Sequence, residues 1–135
     1  MADQVPEEFL RRHKQAVLGT IGKSGAPHLT NVLQAYDNGK LLISIAETRV
    51  KYRNLVRDPR ASVLVLGETF WQYVVVEGRA NLTHMPEARA GLRTYYELAS
   101  GKPHENWDEY DRAMQEERRV LMELSIDRFY GQGYR

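Results

Sequence analysis

The chain has 135 residues, of which 42% are hydrophobic and 27% charged, with a formal net charge of +1. This length points to a single domain, residues 1–135, able to bury most of a core. The near-neutral charge excludes a global field that recruits nucleic acid, and the lack of cysteine excludes disulfides, thiolate metal sites and a cysteine nucleophile.

The N-terminal "MADQVPEEFLRRHK" lacks the apolar core of a signal peptide, and no apolar run approaches the roughly 20 residues of a membrane span. A soluble cytoplasmic protein is expected. Pro6 suits the first turn of a short helix, "PEEFLRRH", with Glu7 and Glu8 at its positive end. "QAVLGTI" reads as a strand, and "GKSGAP" as a turn. The strand "HLTNVLQAY" puts Leu29, Asn31, Leu33 and Ala35 on one face and His28, Thr30, Val32 and Gln34 on the other. Asp37-Asn38-Gly39-Lys40 carries the Asn-Gly pair of a tight hairpin, which leads into a third strand, "LLISIA".

A helix is predicted from Arg49 to Val56, with Thr48 as its N-cap and Asp58-Pro59 as its stop. "RASVLVLG" is the fourth strand. "ETFWQYVVVEGRANLTH" is the fifth, long and bent near Gly78. Pro86 starts a helix, "PEARAGLRTYYELA". "SGKPHEN" separates it from a second, "WDEYDRAMQEERR", whose first turn carries Asp108 and Glu109. "VLMELSIDRFYG" returns as a sixth and last strand. Consecutive strands joined by short turns predict an antiparallel sheet closing into a small barrel with helices as covers.

The chemical candidates are few. His13, His28, His84 and His104 lack the spacing of a metal pair, so no metal site is expected. "GKSG" lacks the P-loop spacing, and there is no G-x-S-x-G elbow. In "RVKYRNLVRDPR" five basic residues, Arg49, Lys51, Arg53, Arg57 and Arg60, accompany one acid, Asp58. Basic side chains in a first helical turn oppose the helix dipole, unless an anion sits there. An anion site for a ligand phosphate is the functional reading, and a solvated basic face the plain alternative. Arginine gives a forked contact and lysine a point charge. Trp71 and Tyr73, two apart on one strand face, can wall a flat ring, though a core or subunit contact accounts for them equally well. Asn31 sits among apolar neighbours, where ring amides of a cofactor would satisfy it; a surface asparagine is the alternative.

The run "LLISIAETRVKYRNLVRDPRASVLVLG" resembles the central signature of the pyridoxamine-phosphate-oxidase-like split β-barrel flavin and deazaflavin proteins. "LGTIGKSGAPHLTNV", "WQYVVVEGRANLT" and "NWDEYDRAMQEERRVLMELSIDRFYG" extend the resemblance over nearly the whole chain, and it is fullest to the B group of deazaflavin-dependent oxidoreductases. The resemblance implies a mainly β fold with helices, a six-stranded antiparallel split β-barrel of the FMN-binding type, forming a homodimer with cofactor sites at the interface. It implies that Arg49 and Lys51 hold the phosphate and acidic tail of coenzyme F-420; that tail calls for a wider basic groove than FMN needs, which Arg53, Arg57 and Arg60 are expected to supply. It places Asn31 near the deazaflavin, Trp71 and Tyr73 from the partner subunit near the ring, and Ser44 and Asn54 as further contacts. The implied activity is hydride transfer from the reduced deazaflavin to a conjugated, electron-poor small molecule; the proton donor is left open between solvent, Lys51 and Tyr73. The alternatives are an FMN-binding oxidoreductase, a non-catalytic protein that holds F-420 or haem, and a bare dimeric structural module.

Overall fold

The computed structural model describes residues 4–135; the first three residues of the N-terminal segment lie outside it. The elements in order are α1 (Glu7–Arg12), β1 (Gln15–Ile21), β2 (Pro27–Leu33), β3 (Ala35–Asp37), β4 (Lys40–Ala46), α2 (Val50–Arg57), β5 (Arg60–Leu66), β6 (Tyr73–His84), α3 (Arg89–Ser100), α4 (Trp107–Glu116), β7 (Arg119–Ser125) and β8 (Arg128–Gln132). The strands form one antiparallel sheet in the order β2-β1-β5-β6-β7-β4-β3, with β8 added on β6. The mainly β fold with helical covers agrees with the expectation, but the strands number eight rather than six.

The two extra strands arise where expected single strands break. Gln34 interrupts "HLTNVLQAY". It is fully buried, its backbone N–H donates to the Lys14 carbonyl (2.8 Å), and its side-chain amide donates to the carbonyls of Leu10 (2.7 Å) and His13 (2.8 Å). These bonds tie the chain to the end of α1, so β2 pairs with β1 while β3 turns away to pair with β4. Asp127 breaks the last strand in the same way, its N–H donating to the Glu77 carbonyl (3.0 Å), so that β7 and β8 pair with different halves of β6. Between those halves stands Gly78, where a Cβ would run into the Ser125 carbonyl. At this point the chain packs against the end of β7 so tightly that a side chain has no room, and one long strand serves both parts of the curled sheet.

Inside the curl, alternate residues meet: Leu18 of β1, Leu41, Ile43 and Ile45 of β4, Val63 and Val65 of β5, Val74 and Val76 of β6, and Met122 and Leu124 of β7. Each side chain fully buried contributes about 1.5–3 kcal/mol relative to exposure. A second cluster, built from Ala35, Leu42 and Leu121, is covered by Leu92 of α3 and Tyr110 of α4. α4 starts where expected: Asn106 accepts the Glu109 N–H (3.1 Å), with Asp108 and Glu109 in the first turn. α3 starts at Arg89 rather than Pro86, which lies in a turn. The Asn38-Gly39 hairpin has the positive φ values expected of it, 47° and 79°. No helix among the described residues is long and apolar enough to cross a membrane.

Candidate functional site

At the end of β4 the chain reverses in a turn closed by the Arg49 N–H on the Ala46 carbonyl (3.1 Å). This turn takes up Glu47 and Thr48, so Arg49 rather than Thr48 precedes the helix, in extended conformation. No side chain caps α2, and its first turn contains no acid. The open N–H groups and two basic side chains therefore share one end of the helix.

A cleft of about 440 Å³ lies against this end, lined by His28, Thr30, Asn31, Ala46, Arg49, Val50, Lys51 and Arg119. Lys51 reaches across from α2, its Nζ donating to the Thr30 hydroxyl of β2 (3.2 Å). Burial, then the nearby charges of Arg49 and Arg119, pull the Lys51 ammonium below its ordinary value of 10.5. Arg119, at the start of β7, is held in place by the Glu117 carboxylate (3.0 Å) and the Ser44 carbonyl (3.5 Å). The cleft wall also holds a buried nitrogen with no partner, His28 Nδ1. Three cations, a hydroxyl, an unpaired imidazole nitrogen and free helix N–H groups form a donor set that fits a phosphate-bearing ligand.

Of the sequence candidates, Arg49, Lys51 and Asn31 come together here. Ser44 stands behind the cleft and touches it only through Arg119. Asn54 is buried, donating to the Thr20 hydroxyl (3.1 Å) and accepting from Arg57 (2.9 Å). Arg53 is exposed, its guanidinium 3.4 Å from the Thr48 carbonyl. The expected groove of Arg53, Arg57 and Arg60 is only partly assembled. Arg60 is bound to Asp58, whose carboxyl it holds at about 2, and Arg57 also donates to the Ile21 carbonyl (3.1 Å). Arg53 and Arg57 nevertheless stand four residues apart on α2, with Arg49 just before its first turn.

Trp71 is not on a strand. It lies in the turn before β6, edge-on to Phe70 with ring centroids 4.7 Å apart, while Tyr73 is the first residue of β6. Both line a separate recess of about 580 Å³ with Leu64 and Leu66, away from the cationic cleft of the same chain. Arg119, His28 and Thr30 were not among the candidates. Thr30 and His28 share the strand face opposite Asn31, a pattern visible in the alternation of β2, whereas Arg119 is brought in by the β4–β7 pairing, with Ala46 opposite it.

The sequence profile of the pyridoxamine 5'-phosphate oxidase family matches residues 2–133. Among solved structures, a conserved hypothetical protein of Mycobacterium tuberculosis superposes with a TM-score of 0.80 at 27% identity, covering 100% of this chain and 88% of its own. An F-420 reductase superposes with a TM-score of 0.72 at 20% identity, covering 97% of this chain and 100% of its own. A haem-binding protein from Mycobacterium smegmatis gives a TM-score of 0.66 at 15% identity, covering 99% of this chain and 60% of its own. With the match spanning nearly every residue and these folds superposing on the curled sheet, the chain belongs to the pyridoxamine 5'-phosphate oxidase family, within its split-barrel superfamily.

Proposed function

We propose that this chain is an F-420-dependent oxidoreductase that works as a homodimer. The observation that carries the reading is the convergence of Arg49, Lys51 and Arg119 on one cleft that no carboxylate lines among the described residues. Glu117 offsets part of the Arg119 charge, but Arg49 and Lys51 have no carboxylate partner among the described residues, and a bound phosphodiester removes the repulsion that remains. Exposed Arg53, in the first turn of α2 beyond Arg49, favours a ligand with an acidic tail in addition to its phosphate. The F-420 reductase with this fold adds support of the same direction.

The outer face of the sheet supports the dimer. Asn31, Val17, Leu64, Val75 and Tyr130 stand in one row across β2, β1, β5, β6 and β8. Leu29, Leu33 and Leu66 flank the row and are exposed, as are Phe70 (84%) and Trp71 (66%) beside it. An uncovered apolar face of this kind marks an association surface. A second copy seated on it brings Trp71 and Tyr73 of the partner subunit towards Asn31, at the mouth of the cleft.

When bound, the deazaflavin supplies a hydride for a conjugated, electron-poor acceptor. The chain's own residues hold and orient. Arg49, Lys51 and Arg119 take the phosphate, Arg53 the tail, and Asn31 a polar edge of the ring, while the aromatic pair excludes water from the acceptor side. Turnover tests this: reduced F-420 mixed with the protein and a panel of quinones, tetrapyrroles and other enones is to be oxidised with at least one acceptor. Binding without oxidation by any of them identifies a carrier instead, and binding of FMN or haem in place of F-420 reassigns the cofactor.

A further inference from the structure

The five lysines of the chain have different environments. Lys40 is paired with Glu123 (2.8 Å), and Lys14 donates to the Arg11 carbonyl (2.5 Å). Lys23 and Lys102 are exposed. Lys51 alone among the described lysines lines a cleft with two arginines, and its hydrogen-bond partner is a hydroxyl rather than a carboxylate. Desolvation or neighbouring cations raise the share of a lysine's free amine, which is its nucleophilic form.

We propose that Lys51 captures phosphorylated aldehydes, its Nζ forming an imine with the carbonyl carbon while Arg49 and Arg119 hold the phosphate. The ammonium first gives a proton to solvent. The nitrogen lone pair then attacks the carbonyl carbon, and the C=O π electrons move to oxygen, which takes up a proton. Loss of that oxygen as water, with an N–H proton released, leaves the C=N bond. Nothing is oxidised or reduced, and water reverses the capture. Burial and the charges of Arg49 and Arg119 both lower the Lys51 ammonium, and Glu117 offsets part of the Arg119 charge. A phosphate bound to the two guanidiniums cancels much of their effect, and burial remains as the influence that lowers the ammonium. The Thr30 hydroxyl accepts a Lys51 N–H and so holds the nitrogen at the cleft wall. The proposal shares its anion contacts with the function argued above but needs no deazaflavin, so the two fail separately.

The test uses glyceraldehyde 3-phosphate and glyceraldehyde on the full chain, with borohydride to reduce any imine to a stable secondary amine, followed by peptide mass spectrometry. Lys51 is expected to be labelled at least tenfold more by the phosphorylated aldehyde than by the plain one, and at least tenfold more than Lys14, Lys23, Lys40 or Lys102. Inorganic phosphate is expected to protect it. Lys51→Arg, which keeps the charge and the fold, is expected to remove the label. Equal labelling by the two aldehydes, labelling spread over the exposed lysines, or no label at Lys51 in the folded protein overturns the proposal. Labelling as described, in a protein that binds no F-420, supports it while removing the cofactor reading.

Discussion

The Lys51 ammonium and the Thr30 hydroxyl are 3.2 Å apart, and this bond joins the start of α2 to β2 across the cationic cleft. It fixes a half-buried amine that has no carboxylate to neutralise it. Thr30→Val keeps the shape of the strand and removes the acceptor. The Lys51 side chain then loses its anchor, and anion affinity is expected to fall about 2- to 13-fold, the worth of one hydrogen bond of about 0.5–1.5 kcal/mol. Calorimetric titration with inorganic phosphate measures this. An affinity unchanged in Thr30→Val shows that the bond does not position the lysine for the anion.

Binding of an anion is expected to be coupled to proton uptake in alkaline solution. The folded, ligand-free chain holds Lys51 below 10.5, so between its lowered value and 10.5 the unfolded chain binds more protons. In that window the Lys51 contribution to stability rises with pH. A bound anion raises the Lys51 value again, so affinity is expected to weaken as pH rises through the same window. Titrations in buffers of different ionisation enthalpy read the protons directly. Zero uptake there contradicts the assignment of Lys51 to the anion.

Asn54 is expected to support the fold rather than the ligand. Its amide links buried Thr20 of β1 to exposed Arg57 at the end of α2. Asn54→Ala leaves a buried hydroxyl without its donor, at a loss of about 1–3 kcal/mol, with phosphate affinity unchanged. Urea denaturation and the same calorimetric titration separate the two effects. A stable variant that binds weakly would return Asn54 to the site.

Gly78 lies where β6 packs hard against the end of β7. A methyl group there meets the Ser125 carbonyl, so Gly78→Ala must open the junction of β6 with β7. Overpacking of this kind costs about 3 kcal/mol, and thermal unfolding is expected to shift down accordingly. A variant as stable as the parent shows that the strands part without strain.

The elements were legible where local chemistry decides them. Asn38-Gly39 makes its hairpin, and Asn106 with its following acids starts α4, because φ preference and capping act within a few residues. The strand count was not legible, since Gln34 breaks its strand through bonds to α1, more than twenty residues earlier in the chain. The N-cap was misread for a related reason: Thr48 has the right side chain, but the turn closed by Arg49 on Ala46 places it outside the helix. Half of the cleft was legible. Arg49 and Lys51 betray themselves by lying together in a helical turn without an acid, whereas Arg119 acquires meaning only through the register that sets it opposite Ala46. The Trp71 position failed because aromatic spacing suggested a strand where the chain forms a turn.

The central claim is that the cationic end of α2 grips a phosphorylated deazaflavin. Fluorescence polarisation of oxidised F-420, titrated with the parent chain and with Arg49→Ala combined with Lys51→Ala, tests it most directly, with FMN as competitor. The account predicts binding to the parent, poor competition by FMN, and an affinity at least tenfold weaker in the folded double variant, about 1.4 kcal/mol. Equal affinity in parent and double variant, or binding of FMN alone, contradicts it.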